Sequence, residues 1–288
     1  MQEFDGKVAV ITGAASGIGK SLAAAAAARG MKLVLADIDL PSLEEVAHAL
    51  DAETIARKID VGQLAQIEAL RDDALAKFGG VHLLCNNAGV VPGGRHRMVW
   101  EFEPQDWEWA FQVNVLGLAN GIRAFIPGMI DRREPGHVLN TTSIAGFMSG
   151  SQTAAYGASK HAAVRISEAL LAGLRDVGAP IGVTMLAPGI VATRIYDSER
   201  NRPDDLRGSR DSDESEELSN TIADLYQTAL QPDDVAKIAF DAIVEDQFYT
   251  LTSSAYDEEI AKRTAAILDR RNPEFASLKS LTTADAKQ

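Results

Sequence analysis

The feature that most constrains the fold is a group of three glycines placed directly after the first apolar segment. Residues 7–12 are largely apolar and β-branched, and residues 12–19 follow with the sequence TGAASGIG. Glycine allows the backbone to bend tightly and to approach a phosphate closely, and a helix is predicted to begin at Gly17. A strand, a glycine turn and a helix in this order predict the first unit of a parallel α/β sheet.

Short apolar segments and helical segments alternate along the rest of the chain. The predicted strands are residues 7–12, 32–36, 54–59, 81–85, 137–142, 181–187 and 248–252. The predicted helices are residues 17–29, 41–50, 65–78, 104–132, 155–177 and 232–245. Because most of the strands are apolar on both faces, helices are expected to cover both sides. The pattern predicts an α/β fold in a single domain, with a doubly wound, Rossmann-type sheet of seven parallel strands.

Two segments interrupt this alternation. From residue 197 to residue 217 the chain carries nine acidic residues and four arginines, which is typical of a solvated, mobile loop. After the last strand, residues 257–269 are predicted to form a helix, and residues 278–288 a frayed tail. We therefore predict one domain over residues 1–255, which includes the charged segment, and a C-terminal helical extension and tail over residues 256–288.

Composition narrows the possible partners and locations. The formal net charge of −13 argues against nucleic acid or an anionic membrane as a partner. The single cysteine, Cys85, cannot form an intramolecular disulfide, and the N-terminal residues do not resemble a signal peptide. The longest apolar run has seven residues, so we expect a soluble cytoplasmic protein. The five histidines lack metal-ligand spacing, and no metal site is predicted.

Asp37 indicates which dinucleotide the turn would bind. It ends the second predicted strand, 24 residues after Gly13, where a carboxylate can accept hydrogen bonds from an adenosine ribose. The same carboxylate would repel a 2′-phosphate, and Ser16 supplies no cation to offset one. The sequence therefore favours NAD over NADP as the cofactor. The alternative interpretation is an aspartate that caps a helix or lies in a loop.

Three polar residues predict acid–base chemistry. Tyr156 and Lys160 are four residues apart, which places them on one face of a helix. A free tyrosine is a poor base because its pKa is about 10, and a neighbouring cation is expected to lower that pKa. Ser143 follows the strand predicted over residues 137–142, at the sheet edge where α/β proteins bind ligands. Its hydroxyl could hold a substrate oxygen that Tyr156 protonates or deprotonates.

With these motifs in order, the chain resembles the compact short-chain dehydrogenase/reductase family over residues 6–252. Residues 12–19 match the family's TGxxxGxG turn, and residues 86–89 match its NNAG segment. The interval between Tyr156 and Lys160 disfavours enoyl reduction. The chain length and the turn spacing disfavour the extended branch of sugar-nucleotide epimerases.

The resemblance also assigns roles to individual residues. The family contacts the adenine after the third strand and the nicotinamide carboxamide after the sixth. By this resemblance the cofactor-binding residues are Gly13, Ser16, Gly17, Ile18, Gly19, Asp37, Asp60, Val61, Asn87, Ala88, Gly89, Tyr156, Lys160, Pro188, Gly189, Ile190, Val191 and Thr193. The catalytic residues are Asn114, Ser143, Tyr156 and Lys160.

These roles imply a definite reaction. Hydride would pass between the nicotinamide and a substrate carbon, while Tyr156 transfers the proton. Ser143 would polarise the carbonyl group, Lys160 would hold the nicotinamide ribose, and Asn114 would hold a water for proton relay. The resemblance thus implies an NAD-dependent oxidoreductase that interconverts a secondary alcohol and its ketone.

Loops at the carboxyl edge of the sheet set substrate choice in this fold. The candidate substrate residues are Met98, Trp100, Phe147, Met148, Ile195 and Tyr196. They suit an apolar or aromatic substrate, and simple packing of the loops is the alternative. The charged segment, over about 194–230, lies where the family has its substrate lid, so we expect it to close over the substrate. Its arginines, at positions 200, 202, 207 and 210, could pair with a substrate carboxylate.

Two other functions are considered. A nucleotide sensor or scaffold with the same fold usually loses the tyrosine or the lysine, and both are present here. A lyase or isomerase could use the same tyrosine with bound NAD.

Family members are commonly tetramers, so a homo-oligomer, a tetramer or a dimer, is expected. The C-terminal extension could enlarge the interface or cover a neighbour's active site.

Overall fold

The computed structural model describes residues 1–92, 98–148, 154–208 and 229–274. The described strands are β1 Val8–Thr12, β2 Lys32–Asp37, β3 Thr54–Lys58, β4 Leu83–Asn86, β5 Gly136–Thr141, β6 Ile181–Ala187 and β7 Tyr249–Leu251. The described α-helices are α1 Gly17–Ala27, α2 Leu40–Ala49, α3 Leu64–Phe78, α4 Pro104–Phe111, α5 Gly117–Arg132, α6 Ala154–Asp176, α7 Pro232–Glu245 and α8 Asp257–Leu268. Residues 209–228 of the expected lid and the whole of the expected tail, residues 278–288, lie outside the described residues. The division into a domain and an extension at residue 255 stays a prediction.

The seven strands form one parallel sheet in the order β3-β2-β1-β4-β5-β6-β7. This confirms the predicted doubly wound architecture. Chain order reverses between β1 and β4, and ligands in open α/β sheets bind outside the carboxyl ends of the strands at such a point. The sheet therefore places a crevice directly after Thr12.

Alternate residues of β1 pack into two separate layers. Ala9 and Ile11 face α1 and α7, while Val8 and Val10 face α3, α5 and α6. Each layer is closed by large apolar side chains from its helices, which include Leu22 and Phe240 on one side and Ile67, Phe125 and Leu174 on the other. Burial of one such side chain stabilises the fold by about 1.5–3 kcal/mol. The strands are therefore apolar on both faces because helices cover both sides of the sheet.

The helix predicted over residues 104–132 is divided by a π-helical turn, Gln112–Leu116, between α4 and α5. Periodicity over the whole segment does not show this turn, because one extra residue per turn changes the pattern only locally. Gly117 follows the turn and packs against Val61. A Cβ added at Gly117 would lie 2.5 Å from the Cγ2 of Val61. The π-helical turn places Asn114 inside the protein, where its side chain is buried.

By length and composition, the run Pro104–Arg132 could cross a membrane, and it is the one such run in the described part of the chain. Less than half of its most apolar window is buried inside the protein. The same run packs against α3, α6 and β4.

Gly19 allows α1 to begin against the glycine turn, and it provides a test of that packing. A methyl group at position 19 would overlap the carbonyl oxygen of Gly13 and crowd the amide of Asn87, neither of which is at a flexible surface. We expect Gly19→Ala to lower the free energy of unfolding by about 2 kcal/mol in urea denaturation. The control is Gly173→Ala at an exposed position of α6, where no atom lies within 4 Å of an added Cβ. That change should stabilise the protein by up to about 1 kcal/mol. Equal effects at the two positions would contradict this account of the turn.

Candidate active site

A large cleft of about 1310 Å³ opens along the carboxyl ends of the strands. This is more than the roughly 300–1,000 Å³ of an ordinary ligand pocket, and it suits a dinucleotide together with a second molecule. Except for Gly19, which packs on Gly13, every residue predicted to bind the cofactor lines this cleft. The structure therefore brings together segments that are up to 180 residues apart in the chain.

The glycine turn leaves the N-terminus of α1 open toward the cleft. Gly13 and Gly17 have positive φ angles of 67° and 52°, a region that side chains other than glycine rarely adopt. Ser16 precedes the helix without a capping hydrogen bond from its side chain, and the first turn of α1 contains no acidic residue. The first backbone N–H groups and the positive end of the helix dipole are therefore available for an anion such as a diphosphate.

The turn is held in place by Thr12 and Asn87. The Oγ1 of Thr12 accepts hydrogen bonds from the backbone N–H groups of Asn87 and Ala88, at 3.0 and 3.1 Å. In return, the Nδ2 of Asn87 donates to the carbonyl oxygen of Thr12 at 3.0 Å. These bonds tie the end of β1 to the segment after β4 and so fix the width of the crevice. Sequence analysis did not give Thr12 a role of its own, although it is the first residue of the glycine motif.

Asp37 connects the end of β2 to the same turn. Its Oδ2 accepts a hydrogen bond from the N–H of Ala15 at 2.9 Å, and its Oδ1 accepts one from the N–H of Asp39 at 3.0 Å. Burial raises the pKa of Asp37, and the backbone hydrogen bonds act in the opposite direction. A carboxylate has about four acceptor positions, so these bonds leave room for a further donor. Asp37 is therefore an oriented acceptor at the edge of the cleft.

Ser143 and Tyr156 are neighbours in the cleft, although one follows β5 and the other lies on α6. The Oγ of Ser143 accepts from the N–H of Ala145 at 3.1 Å, which fixes the hydroxyl in place. Burial raises the pKa of Tyr156 to about 12, against the smaller and opposite effect of the Ser143 hydroxyl. Tyr196 is close enough to Tyr156 to raise that pKa further.

The direction of this shift corrects the expectation that Lys160 lowers the pKa of Tyr156. The Nζ of Lys160 lies 5.7 Å from the centre of the tyrosine ring and donates to the carbonyl oxygen of Thr141 at 3.0 Å. Burial also lowers the pKa of Lys160 to about 8. Removal from water penalises the charged form of each group, and this effect dominates both pKa values. At neutral pH Tyr156 is thus a neutral phenol, suited to donate a proton.

Asn114 connects the π-helical turn to the catalytic helix. Its side chain exchanges two hydrogen bonds with the backbone of Val90, at 2.8 and 2.9 Å, and donates to the Oγ of Ser159 at 2.9 Å. Ser159 in turn donates to the carbonyl oxygen of Tyr156 at 2.7 Å. Sequence analysis missed this role of Ser159, which only its place between Tyr156 and Lys160 could have suggested.

Gly89 leaves a space between Asn114 and Lys160. A Cβ at this position would lie 3.3 Å from the Oδ1 of Asn114 and 3.2 Å from the Nζ of Lys160. The two polar groups therefore face the same small volume. A water between them would have the acceptor and donor that it needs.

The loop after β6 closes the cleft beside Ser143. The carbonyl oxygen of Pro188 accepts from the N–H of Ile144 at 3.0 Å, and the N–H of Gly189 donates to the Oγ1 of Thr252 at 3.1 Å. Farther along, Thr193 packs against Gly17. A Cβ added at Gly17 would lie 3.0 Å from the methyl carbon of Thr193. This loop therefore spans the distance from the catalytic side chains to the glycine turn.

The six residues proposed for the substrate are not all in one place. Met148, Ile195 and Tyr196 line the cleft. Trp100 is 78% exposed and Met98 is 39% exposed, and neither belongs to the described lining. Phe147 packs against Tyr249 instead, at 6.5 Å between ring centres. Trp109 lines the cleft although sequence analysis did not consider it.

The described part of the expected lid, residues 194–208, is anchored to the protein by a buried ion pair. The Nη1 of Arg202 lies 2.8 Å from the Oδ1 of Asp106 and 3.1 Å from the Oε1 of Glu199, and its guanidinium lies 5.0 Å from the centre of the Trp109 ring. Loss of one member of a buried pair costs about 3–5 kcal/mol. The expectation that Arg202 could bind a substrate is therefore corrected, because this side chain is already used inside the protein.

Comparison with known proteins supports a common origin for this arrangement. A family model described as short chain dehydrogenase matches residues 7–204. A dehydrogenase/reductase of CLA biosynthesis from Lactiplantibacillus plantarum is 34% identical over 281 residues, which cover 95% of this chain and 97% of the relative. A 1-deoxy-11-beta-hydroxypentalenate dehydrogenase from Streptomyces exfoliatus is 33% identical over 251 residues, 86% of this chain and 83% of the relative.

A solved structure is similar over nearly the whole chain. It is a short chain dehydrogenase/reductase from Burkholderia phymatum in complex with NAD, at 43% identity and a TM-score of 0.90. The similarity covers 96% of this chain and 99% of the other.

The raised pKa of Tyr156 is tested by titration of the free protein. We expect the phenolate absorbance of the wild type minus that of Tyr156→Phe to be absent below about pH 10, because burial keeps this phenol neutral. The measurement is a near-ultraviolet pH titration of both proteins without cofactor. A difference that titrates near pH 8 would show that the charge of Lys160 outweighs burial.

Proposed function

The chain belongs to the short-chain dehydrogenase/reductase family of oxidoreductases, and we propose that it interconverts a secondary alcohol and its ketone with NAD. One observation carries this proposal. Ser143 and Tyr156 are neighbours, with Lys160 beside them, and they line the same cleft as the uncapped N-terminus of α1.

The residues around the turn fit a dinucleotide. The N–H groups at the start of α1 would hold the diphosphate, and Asp37 would accept hydrogen bonds from the adenosine ribose. The loop from Pro188 to Thr193 would hold the nicotinamide end, since it lies between Ser143 and Gly17. When bound, NAD supplies the acceptor or donor of hydride.

Asp37 and the Burkholderia phymatum relative both favour NAD over NADP. A carboxylate that already accepts two backbone hydrogen bonds is fixed in orientation, and it would lie against a 2′-phosphate. Repulsion between the two negative groups would weaken NADP binding. The related structure was obtained as a complex with NAD.

The chain's own residues would handle the proton. In ketone reduction, Ser143 donates a hydrogen bond to the carbonyl oxygen, and Tyr156 gives its phenolic proton to that oxygen as the carbon gains hydride. In alcohol oxidation Tyr156 would first lose its phenolic proton, and the resulting tyrosinate would take the hydroxyl proton as the carbinol carbon loses hydride. Because Tyr156 is a neutral phenol at neutral pH, the site is suited to reduction without prior loss of a proton.

Lys160 and Asn114 would support that proton transfer. The ammonium group of Lys160 would stabilise the tyrosinate that remains after reduction. A water in the space beside Gly89, between Lys160 and Asn114, would return a proton from solvent. Asn114 is a positioning residue as well, since it braces α6 through Ser159.

The substrate is proposed to be largely apolar. The described lining near Tyr156 includes Trp109, Met148, Ile195 and Tyr196. The name of the Streptomyces exfoliatus relative, a 1-deoxy-11-beta-hydroxypentalenate dehydrogenase, agrees with a substrate larger than a simple alcohol.

A sensor or scaffold without turnover is the second candidate. It shares the fold and the cofactor cleft, and the two candidates differ only in whether the side chains of Ser143, Tyr156 and Lys160 are used. Their mutual contacts favour the enzyme. Location in the cytoplasm and assembly into a tetramer or dimer stay predictions.

Substitution of the tyrosine tests the proposed reaction. We expect Tyr156→Phe to lower kcat at least about a hundredfold, since a positioned acid or base contributes roughly 10²–10⁴. The assay follows NADH formation with NAD or NADP and a panel of aliphatic, aromatic and polycyclic secondary alcohols. The affinity for NADH should change little, because the ring remains.

The matched control is Tyr249→Phe, which removes a half-exposed phenol outside the described cleft and should leave kcat unchanged. More than about 10% of wild-type kcat in Tyr156→Phe would refute the assignment. Preference for NADP would refute the role given to Asp37. Tight NADH binding without turnover of any alcohol would favour the sensor.

A further inference from the structure

The turn that carries Ser143 is attached to the rest of the protein on two sides. Ser143 begins a short 3₁₀ turn, Ile144–Gly146. On one side, the backbone N–H of Ile144 donates to the carbonyl oxygen of Pro188 at 3.0 Å, in the loop after β6. On the other side, the turn meets α6 at Gly146. The position of the Ser143 hydroxyl therefore depends on both contacts.

Gly146 packs directly on the backbone of α6. A Cβ added at Gly146 would lie 3.0 Å from the carbonyl carbon and oxygen of Lys160 and 3.2 Å from the backbone nitrogen of His161. Gly146 is itself buried. The lack of a side chain at this residue thus brings the turn against the helical segment that carries Tyr156 and Lys160.

His161 adds a hydrogen bond at this contact. Its Nδ1 lies 2.7 Å from the carbonyl oxygen of Gly146. A carbonyl oxygen can only accept, so Nδ1 carries the proton and donates it to this bond. The bond provides a partner for the carbonyl group of a buried residue, and such a group is costly to leave unpaired. The side chain of His161 therefore joins the turn after Ser143 to α6.

The ring of His161 has no part in the hydrophobic core. It is exposed and lines the cleft, next to the buried Lys160. Sequence analysis assigned His161 no role, because the histidines lack metal-ligand spacing. The structure gives it a partner 15 residues away in the chain. Since the ring is exposed, its replacement leaves no buried cavity and should have little effect on stability.

We propose that His161 is a positioning residue, which fixes the hydroxyl of Ser143 relative to Tyr156 by binding the carbonyl oxygen of Gly146. This inference rests on the proposed function. The hydroxyls of Ser143 and Tyr156 must meet one substrate oxygen, although one follows β5 and the other lies on α6. A displaced turn would move Ser143 away from that oxygen. Because its hydroxyl acts mainly on charge that develops in the transition state, the loss should fall on kcat.

The first test removes the hydrogen bond in the full-length enzyme. In His161→Leu the side chain cannot donate, and leucine is a better helix former than histidine. We expect kcat to fall about tenfold with the secondary alcohol that the wild type turns over best. The KM for that alcohol and the Kd for NADH should stay within about twofold, since the cofactor and the apolar wall are bound elsewhere. Thermal unfolding checks that the variant is folded.

Two amide variants separate this hydrogen bond from the mere presence of a polar side chain. The amide nitrogen of asparagine lies directly beyond Cγ, as Nδ1 does in histidine, whereas that of glutamine lies one bond farther. His161→Asn should therefore keep most of the wild-type kcat, and His161→Gln should behave like His161→Leu. This pair keeps the test valid if the leucine variant does not fold. The matched control is Arg165→Leu, one turn later on α6, which removes an exposed side chain that pairs with Glu168 and should leave kcat unchanged.

The tautomer of His161 provides a second readout, which needs no turnover. Its ring nitrogens are observed by NMR in protein labelled with ¹⁵N-histidine, at alkaline pH, and they are assigned by comparison with His161→Leu. In the neutral ring the proton should be on Nδ1, because the carbonyl oxygen of Gly146 requires a donor there.

Three results would overturn the proposal. The first is a neutral ring with its proton on Nε2. The second is a folded His161→Leu with the kcat of the wild type, or an equal loss of kcat in the asparagine and glutamine variants. The third is a rise in KM that depends on the substrate, which would make His161 a substrate contact instead. A wild type that turns over no alcohol would refute the proposed reaction, and the position of the ring proton would still test the hydrogen bond of His161 on its own.

Discussion

The hydrogen bonds of Thr12 at the end of β1 are the interaction on which the rest of the site depends. β1 lies between β2 and β4. From this point later strands are added toward one edge of the sheet as β2 and β3, and toward the other edge as β4 to β7. The hydroxyl of Thr12 accepts two backbone N–H groups from the segment after β4, and Asn87 answers with a bond to the Thr12 carbonyl. The crevice therefore has a fixed width, and the glycine turn and the catalytic strand keep a constant separation.

Burial governs the chemistry of the catalytic side chains. It raises the pKa of Tyr156 to about 12 and lowers that of Lys160 to about 8, so the two values move apart. At neutral pH the phenol therefore keeps its proton, and the lysine remains largely an ammonium group beside it. Ser143, Thr141 and Asn114 supply the hydrogen bonds that hold these side chains within the protein.

The outer walls of the cleft come from segments that have no regular place in the alternation of strands and helices. The segment after β6 is anchored through the buried pair of Arg202 and Asp106, and α8 is anchored through Tyr256 on Gly189. These walls differ in kind from the glycine turn. The turn meets a part that all dinucleotides share, while the walls meet the variable part of a substrate, and so they are where specificity is expected to arise.

Much of the fold was predictable from the sequence because its signals are local. The strands are within about two residues of their predicted bounds, and β6 agrees at both ends, since runs of buried apolar residues are visible without tertiary information. The resemblance to a family likewise placed Tyr156, Lys160 and Ser143 by motif and spacing. The π-helical turn was not predictable, because it is maintained by the contacts of Asn114 with Val90 and Ser159.

The sequence by itself determined the order of strands and helices, the glycine turn and the residue types at the catalytic positions. Only the tertiary structure decided the direction of the Tyr156 pKa shift, because burial depends on every element packed around the phenol. It also decided that Arg202 lies inside the protein and that Arg263 lines the cleft. Both are arginines in charged segments, and sequence cannot distinguish them. Their surroundings come from residues that are distant in the chain, and only folding brings those residues together.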